Sequence, residues 1–246
     1  MWWWIALWTT ASASEVFSLS ADVGAAARYF DDLVTPDPDA FGLSVGARAE
    51  LDIKLQARLD VRYVEGRAFN PAEDRFFDLS AAISSPAIVI CADIHEIYLR
   101  ESSRRGDDLF YINGGAGFKG RFGRPVTLKG GVGISYLAAA SPDGIDQTHA
   151  LGGYVGADLM VRTRWVDGTL RAATLMAFQE SRAYFGLLAD GDLTVKIPVG
   201  KVALGPRLDV MYRNLGLTDN NDQLFGQKQE LTGSLGLAIH WGTGGL

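Results

Sequence analysis

The chain has 246 residues, a formal net charge of −6 and a single cysteine. The acidic balance argues against a nucleic-acid partner, and one thiol excludes an internal disulfide framework. One pattern repeated from end to end favours a single domain, and after the opening residues no stretch approaches the ~20 continuous apolar residues that a membrane helix needs.

Residues 1–13 join an apolar run, MWWWIALW, to a small-residue site at Ala11-Ser12-Ala13. They read as a secretory signal peptide that lacks the usual basic start, with 14–246 as the mature domain. From Phe17 to Tyr29 every odd position is apolar and most even ones are polar, glycine or charged, the period of a strand. Residues 31–40 carry two prolines and several aspartates and are expected to form a loop. The stretch 41–64 then alternates without a break, from Phe41 through Tyr63, and is too long for one typical strand. It divides near 50–53 into two strands joined by a tight turn. Residues 64–74 form the next loop, and Phe77, Leu79, Ala81 and Ile83 a fourth strand.

The fifth strand changes phase. Ile88, Ile90, Ala92 and Ile94 share one face while Ile97 and Leu99 share the other, so a β-bulge is expected near His95-Glu96. Beyond the charged loop 101–107, alternation resumes at Phe110–Phe118, Val126–Tyr136, Leu151–Val161, Leu170–Phe178, Phe185–Val195, Val202–Tyr212 and Leu231–Trp241. Their connections are a turn at 120–125, a loop at 139–148, short links at 162–168, 180–181 and 198–200, and a long polar loop at 214–228.

About twelve strands result, with ten or fourteen as the nearest alternatives, and the fold class is all-β. Connections after odd strands are long and polar, except the one at 180–181, and those after even strands are mostly short. On the apolar phase, Tyr29, Phe41, Tyr63, Phe77, Phe110, Tyr136, Phe178, Phe185 and Tyr212 fall at the loop end of their strands. Phe17, Phe118 and Trp241 fall at the turn end. Aromatic rings collect at both interfaces of a membrane because their bodies are apolar and the tips of Tyr and Trp bond to water. A soluble sandwich or lipocalin-like barrel explains alternation equally well, but not strand number, parity and aromatic placement together.

In these features the chain resembles the bacterial outer-membrane β-barrel proteins, in the general porin-like class. The resemblance implies a single antiparallel up-and-down transmembrane barrel in the outer membrane, folded by the barrel-assembly machinery. The partners it implies are outer-membrane lipids, lipopolysaccharide and small solutes. Such barrels often end on an aromatic residue; here Trp241 is followed by Gly-Thr-Gly-Gly-Leu.

With the apolar phase toward lipid, the lumen phase carries Arg28, Arg48, Arg58, Asp60, Arg62, Asp78, Lys129, Asp158, Arg171, Arg207, Asp209 and Glu230. Asp22, Glu50, Asp190 and Arg213 share that phase. The bland reading is a set of charges that pair across neighbouring strands; the sharp one is a constriction selecting small charged solutes. Val45 and Leu59 are expected to face lipid, where arginine costs ~2–4 kcal/mol, and arginine at Ser44 is expected to cost far less.

No catalytic or metal signature emerges. Asp93, His95 and Glu96 lack a ligand spacing, and Ser135 with His149 is a dyad only by default. Glycines such as Gly114, Gly115 and Gly117 sit inside strands and read as close packing. Cys91, in an apolar run, reads as a small hydrophobe. No cofactor is expected. The leading expectation is a narrow passive channel; a closed structural or adhesive barrel and a lipid-modifying enzyme are the alternatives.

Overall fold

A computed structural model describes residues 17–32, 37–52, 56–67, 73–84, 88–100, 108–121, 125–140, 147–179, 182–218 and 224–242. Thirteen strands run in sequence: β1 (Phe17–Asp32), β2 (Asp37–Asp52), β3 (Gln56–Arg67), β4 (Glu73–Ser84), β5 (Ile88–Arg100), β6 (Asp108–Arg121) and β7 (Val126–Ala140), then β8 (Gln147–Arg162), β9 (Val166–Gln179), β10 (Arg182–Val195), β11 (Ile197–Val199), β12 (Val202–Thr218) and β13 (Leu224–Gly242). No helix occurs among the described residues.

β10 and β11 are one stave of the wall. Thr194↔Arg207 and Ile197↔Leu204 keep a single register against β12. The interruption faces Pro206, which has no N–H to give the ladder. Beside it Gly205 lies so near the Val195 carbonyl that a Cβ would fall 1.7 Å from that oxygen. At the turn that follows, Gly200 takes φ +64°, a conformation that suits glycine, and joins Val199 to Val202 in a two-residue hairpin.

The sheet closes. Each strand pairs antiparallel with its chain neighbours, β1 pairs β13, and β10 pairs β12, leaving twelve staves and, among the described residues, no free long edge. Partners followed once around the wall run from Phe17 to Leu51, Ala57, Ile83, Ile90, Ala116, Val132, Val155, Thr174, Leu187, Asn214 and Gln229. They return to β1 at Asp31, fourteen residues above the start. Twelve staves with that stagger tilt by about 40° and give a circular backbone diameter of roughly 24 Å.

The alternation seen in the sequence fixes the two faces. Phe118 is 81 %, Leu237 68 % and Ile134 64 % exposed on the outer phase, and Val23, Leu43, Val155, Leu170 and Leu235 are exposed with them. An apolar surface of this extent, wrapped around a closed wall, belongs in hydrocarbon. Apart from β11, the strands have 12 to 19 residues, more than the ~9–11 that cross a bilayer. Phe178 and Phe185 are exposed at the loop end, and Phe17, Phe118, Trp165 and Trp241 at the turn end. Arg164 stacks 5.1 Å above the Trp165 ring. The side chains of Tyr29, Phe41, Phe77 and Phe110 lie outside the described residues, as do residues 1–16.

Three expectations about the backbone change. Residues 37–40, read as loop, belong to β2, and Pro38 is accommodated by a register shift between Arg28↔Ala40 and Phe30↔Asp37 that sets Pro38 and Asp39 against Tyr29 alone. The polar stretch 214–228 is largely strand, because ladders that outrun the bilayer continue in water where apolar alternation is no longer required. No bulge interrupts β5: His95 pairs Asp78 on one side and Tyr111 on the other in unbroken register. Apolar residues do occur on the inner phase, as buried Leu137 and Leu175 show, so a change of apolar phase needs no extra residue.

Candidate functional site in the lumen

The inner face divides into two zones. In the turn-side half, arginines and carboxylates converge from both walls. Some pairs are the in-register neighbours that the sequence brings together: Arg48 Nε donates to Asp60 at 2.8 Å, Arg171 Nε to Asp158 at 3.1 Å, and Arg58 lies 3.5 Å from Glu50. Arg58 also grips Asp60 through Nε and Nη2, at 2.9 and 2.6 Å.

Other pairs cross the barrel. Arg48 Nη2 on β2 donates to Asp192 on β10 at 2.8 Å. Arg62 on β3 meets Asp209 on β12 at 2.6 Å, and Arg162 on β8 pairs with Glu50 on β2. Arg58 reaches Thr169 Oγ1, on the diametrically opposed β9, at 3.4 Å. Two extended side chains and a hydrogen bond span at most roughly 15 Å between Cα atoms, well short of the circular diameter. The section is therefore flattened here, with β2 and β3 drawn toward β8 and β9.

Arg207 is the central cation of the layer. It is 4 % exposed and holds Asp209 at 3.0 Å, Asp22 at 3.3 Å and Asp192 at 3.9 Å. Asp22 rests on Gly46 of the paired strand, where a Cβ would come within 2.5 Å of its Oδ1; only glycine lets the carboxylate lie this low. A polar cavity of about 60 Å³, lined among others by Arg62, Arg171, Asp190, Asp209, Thr232 and Ser234, gives room for a few waters.

The loop-side half is different along β7 to β10. Leu137, Ala150, Tyr154, Leu175, Ala177 and Tyr184 turn inward and are buried. The Tyr154 ring lies over Gly133 and Gly115 of the two preceding strands, where a Cβ would meet its Cε1 at 2.5 Å and its hydroxyl at 2.8 Å. Glycine here makes room for an aromatic ring on the adjoining staves.

Of the residues singled out from the sequence, Arg48, Arg58, Asp60, Arg62, Arg207 and Asp209 meet in the turn-side layer. Lys129 and Asp158 are register partners on β7 and β8, and Arg171 joins Asp158 while lining the cavity. The side chains of Arg28, Asp78 and Glu230 lie outside the described residues, as do those of Cys91 and His95. The layer also holds Asp192, Arg162 and Asp167, which the sequence reading passes over. Asp192 shares the phase of Asp190, a signal sufficient to find it; the other two flank a short turn, where alternation assigns no face.

Two expectations fail on geometry. Ser135 is fully buried on the inner face, whereas His149 is exposed on the outer face and bonded to Tyr136 Oη at 2.7 Å; the wall separates them, so they form no dyad. Ser44 is 1 % exposed. Arginine there meets packed atoms, not solvent, and costs about 1–3 kcal/mol by overpacking, so it is no mild control for Val45. Among the described residues no group of three or more His, Cys, Asp or Glu is placed to hold a metal.

No family model and no curated protein matches the chain. Solved structures similar to it include the translocator domain of the autotransporter NalP from Neisseria meningitidis, at 10 % identity and TM-score 0.46, covering 95 % of this chain and 90 % of that one. The β domain of the Bordetella autotransporter BrkA follows at 11 % and 0.40, covering 92 % and 99 %. The Pseudomonas putida toluene transporter TodX gives 7 % and 0.35, covering 93 % and 90 %. Likeness at that level carries no functional inference. The class rests on the molecule itself: a closed antiparallel wall of twelve staves with an apolar exterior and a polar, charged lumen is a transmembrane β-barrel of the outer-membrane type.

Proposed function

We propose that the protein is a narrow channel of the bacterial outer membrane, exported by its N-terminal segment, whose lumen passes small ions and is drawn shut at the turn end in this conformation. The observation that carries the reading is the buried layer of charges. Replacing buried ion pairs by well-packed apolar residues is often neutral or stabilising, and this chain uses apolar packing on the inner wall of β7 to β10. A barrel built for rigidity alone has no need of Arg48, Arg62 and Arg207 in its middle. Selectivity rings in channels are made of such side chains. The short turns would face the periplasm, and lipids, lipopolysaccharide and the barrel-assembly machinery are the partners this location supplies.

The second reading is a structural barrel without transport, favoured by the ion pairs that cross the lumen. Purified protein in planar bilayers separates the two. Discrete conductance steps, with ion selectivity altered in Arg62→Gln, are expected of a channel; a silent membrane containing folded, heat-modifiable protein overturns it.

A further inference from the structure

Each bridge across the lumen joins two groups that already hold a second partner on their own side. Arg48 binds Asp192 across the barrel but also Asp60 on the adjoining strand, at 2.8 Å in both cases. Asp192 in turn has Arg207 beside it at 3.9 Å. Arg62 binds Asp209 across the lumen and Asp22 at 3.4 Å, and Asp209 keeps Arg207 at 3.0 Å. Glu50, bridged to Arg162, keeps Arg58 at 3.5 Å, and Arg162 keeps Asp167 at 3.8 Å.

We infer that the turn-side layer is a two-state gate, in which the walls formed by β1 to β3 and β8 to β12 break and re-form the bridging ion pairs while the pairs within each wall persist. The inference rests on the channel reading above. Leaving a buried charge unpaired is what makes breaking a buried salt bridge costly. Here separation orphans none of the six bridging groups: each guanidinium keeps a carboxylate and each carboxylate a guanidinium. The pairs within each wall are already formed beside the bridges, with Arg207 serving both Asp192 and Asp209, so the bridges can break and re-form between two discrete arrangements while every charge stays paired, which is what switching requires. The flattened section is the bridged state, and relaxation toward the circular section, with its roughly 24 Å backbone diameter, would open the passage. Arg207 to Asp22, 3.3 Å apart and separated only by β13, lies at the end of the layer where the walls stay close and acts as the hinge contact.

The test uses the full chain refolded in planar bilayers in potassium chloride, with heat-modifiable migration as the check of folding. Asp192→Asn removes one bridge yet leaves Arg48 with Asp60, so the open fraction should rise at least tenfold. Arg62→Gln should act the same way, because Asp209 retains Arg207. The charge-reversed pair Arg48→Glu with Asp192→Arg keeps a bridge across the lumen but spoils the pairs within each wall. It sets a carboxylate at position 48 against Asp60 and a guanidinium at position 192 against Arg207, so it should open less than the unaltered protein. Conductance that is equal in all four proteins overturns the gate and leaves the channel reading standing. Silence in all four overturns both, and a reversed pair that opens as readily as Asp192→Asn overturns the two-state gate.

Discussion

The turn-side layer and the loop-side wall of β7 to β10 face the same lumen but are held by opposite means. The first is bound by directional, charge-assisted contacts between distant strands, several of them with a choice of partner. The second is bound by shape: Tyr154 is laid over glycines, and Leu137, Leu175 and Tyr184 are buried on the same inner wall. Packing of this kind has one good arrangement, whereas a bridge between groups that each keep a second partner can break without leaving a charge unpaired. The two halves should therefore respond to different substitutions.

The largest effect is expected where shape holds the wall. Tyr154→Ala removes a buried ring and leaves a cavity, and should lower unfolding free energy by about 3–5 kcal/mol, measured by denaturant titration in detergent. The loss should be the same at low and high salt; a strongly salt-dependent loss would erase the contrast with the charged layer. The adjoining residue sharpens the point, since Val155 faces outward and is 58 % exposed. Val155→Arg should cost roughly 2–4 kcal/mol in bilayers, depending on its depth, because the charge enters hydrocarbon; a negligible change in refolding yield and stability there would place the outer face in water.

Next in size is Gly133→Val, whose Cβ would meet the Gly114 carbonyl at 2.1 Å and Gly115 Cα at 2.5 Å as well as the Tyr154 ring, and which should cost about 1–3 kcal/mol by overpacking. Combining it with Tyr154→Ala should recover part of that loss, and strict additivity in the double-mutant cycle would show that ring and glycine do not share a site. The smallest effect belongs to the coupling between Arg171 and the partly exposed Asp158, nearest neighbours whose bond should be worth only ~0.2–1 kcal/mol in a double-mutant cycle of Arg171→Ala with Asp158→Ala. A coupling several times larger would mean that this pair belongs to the cross-lumen layer.

What is legible in the sequence follows the same division. Period-two alternation assigns a face to every residue of a strand, so the outer band and the inward phase of Arg48, Asp60, Asp158 and Arg171 are readable, and so is pairing between adjacent strands. Bridges such as Arg48 to Asp192 are not, because they depend on the stagger around the wall and on the flattening of the section, neither of which a local pattern encodes. The inner packing escapes the sequence for a related reason. A lumen assumed to be wet makes Ser44 look tolerant and makes Ile97 and Leu99 call for a bulge, yet the inner face is partly dry. The strand extensions at 37–40 and 226–230 are hidden because their residues are largely polar, and a ladder that runs past the membrane into water no longer needs apolar alternation; at 214–218 Leu215 and Leu217 fall in the opposite phase to Val210 and Tyr212.

The pairing of β1 with β13 has a consequence in time. Ser18↔Gly242 through Asp32↔Lys228 joins segments separated by nearly the whole described chain, the kind of contact whose formation is slowed by the entropy of closing a long loop. Every other stave can zip onto a sequence neighbour as it emerges, but this seam must wait for β13. Until it closes, β1 and β13 are bare edges able to pair with another chain, so the interval before the last strand arrives is when the protein is most exposed to aggregation.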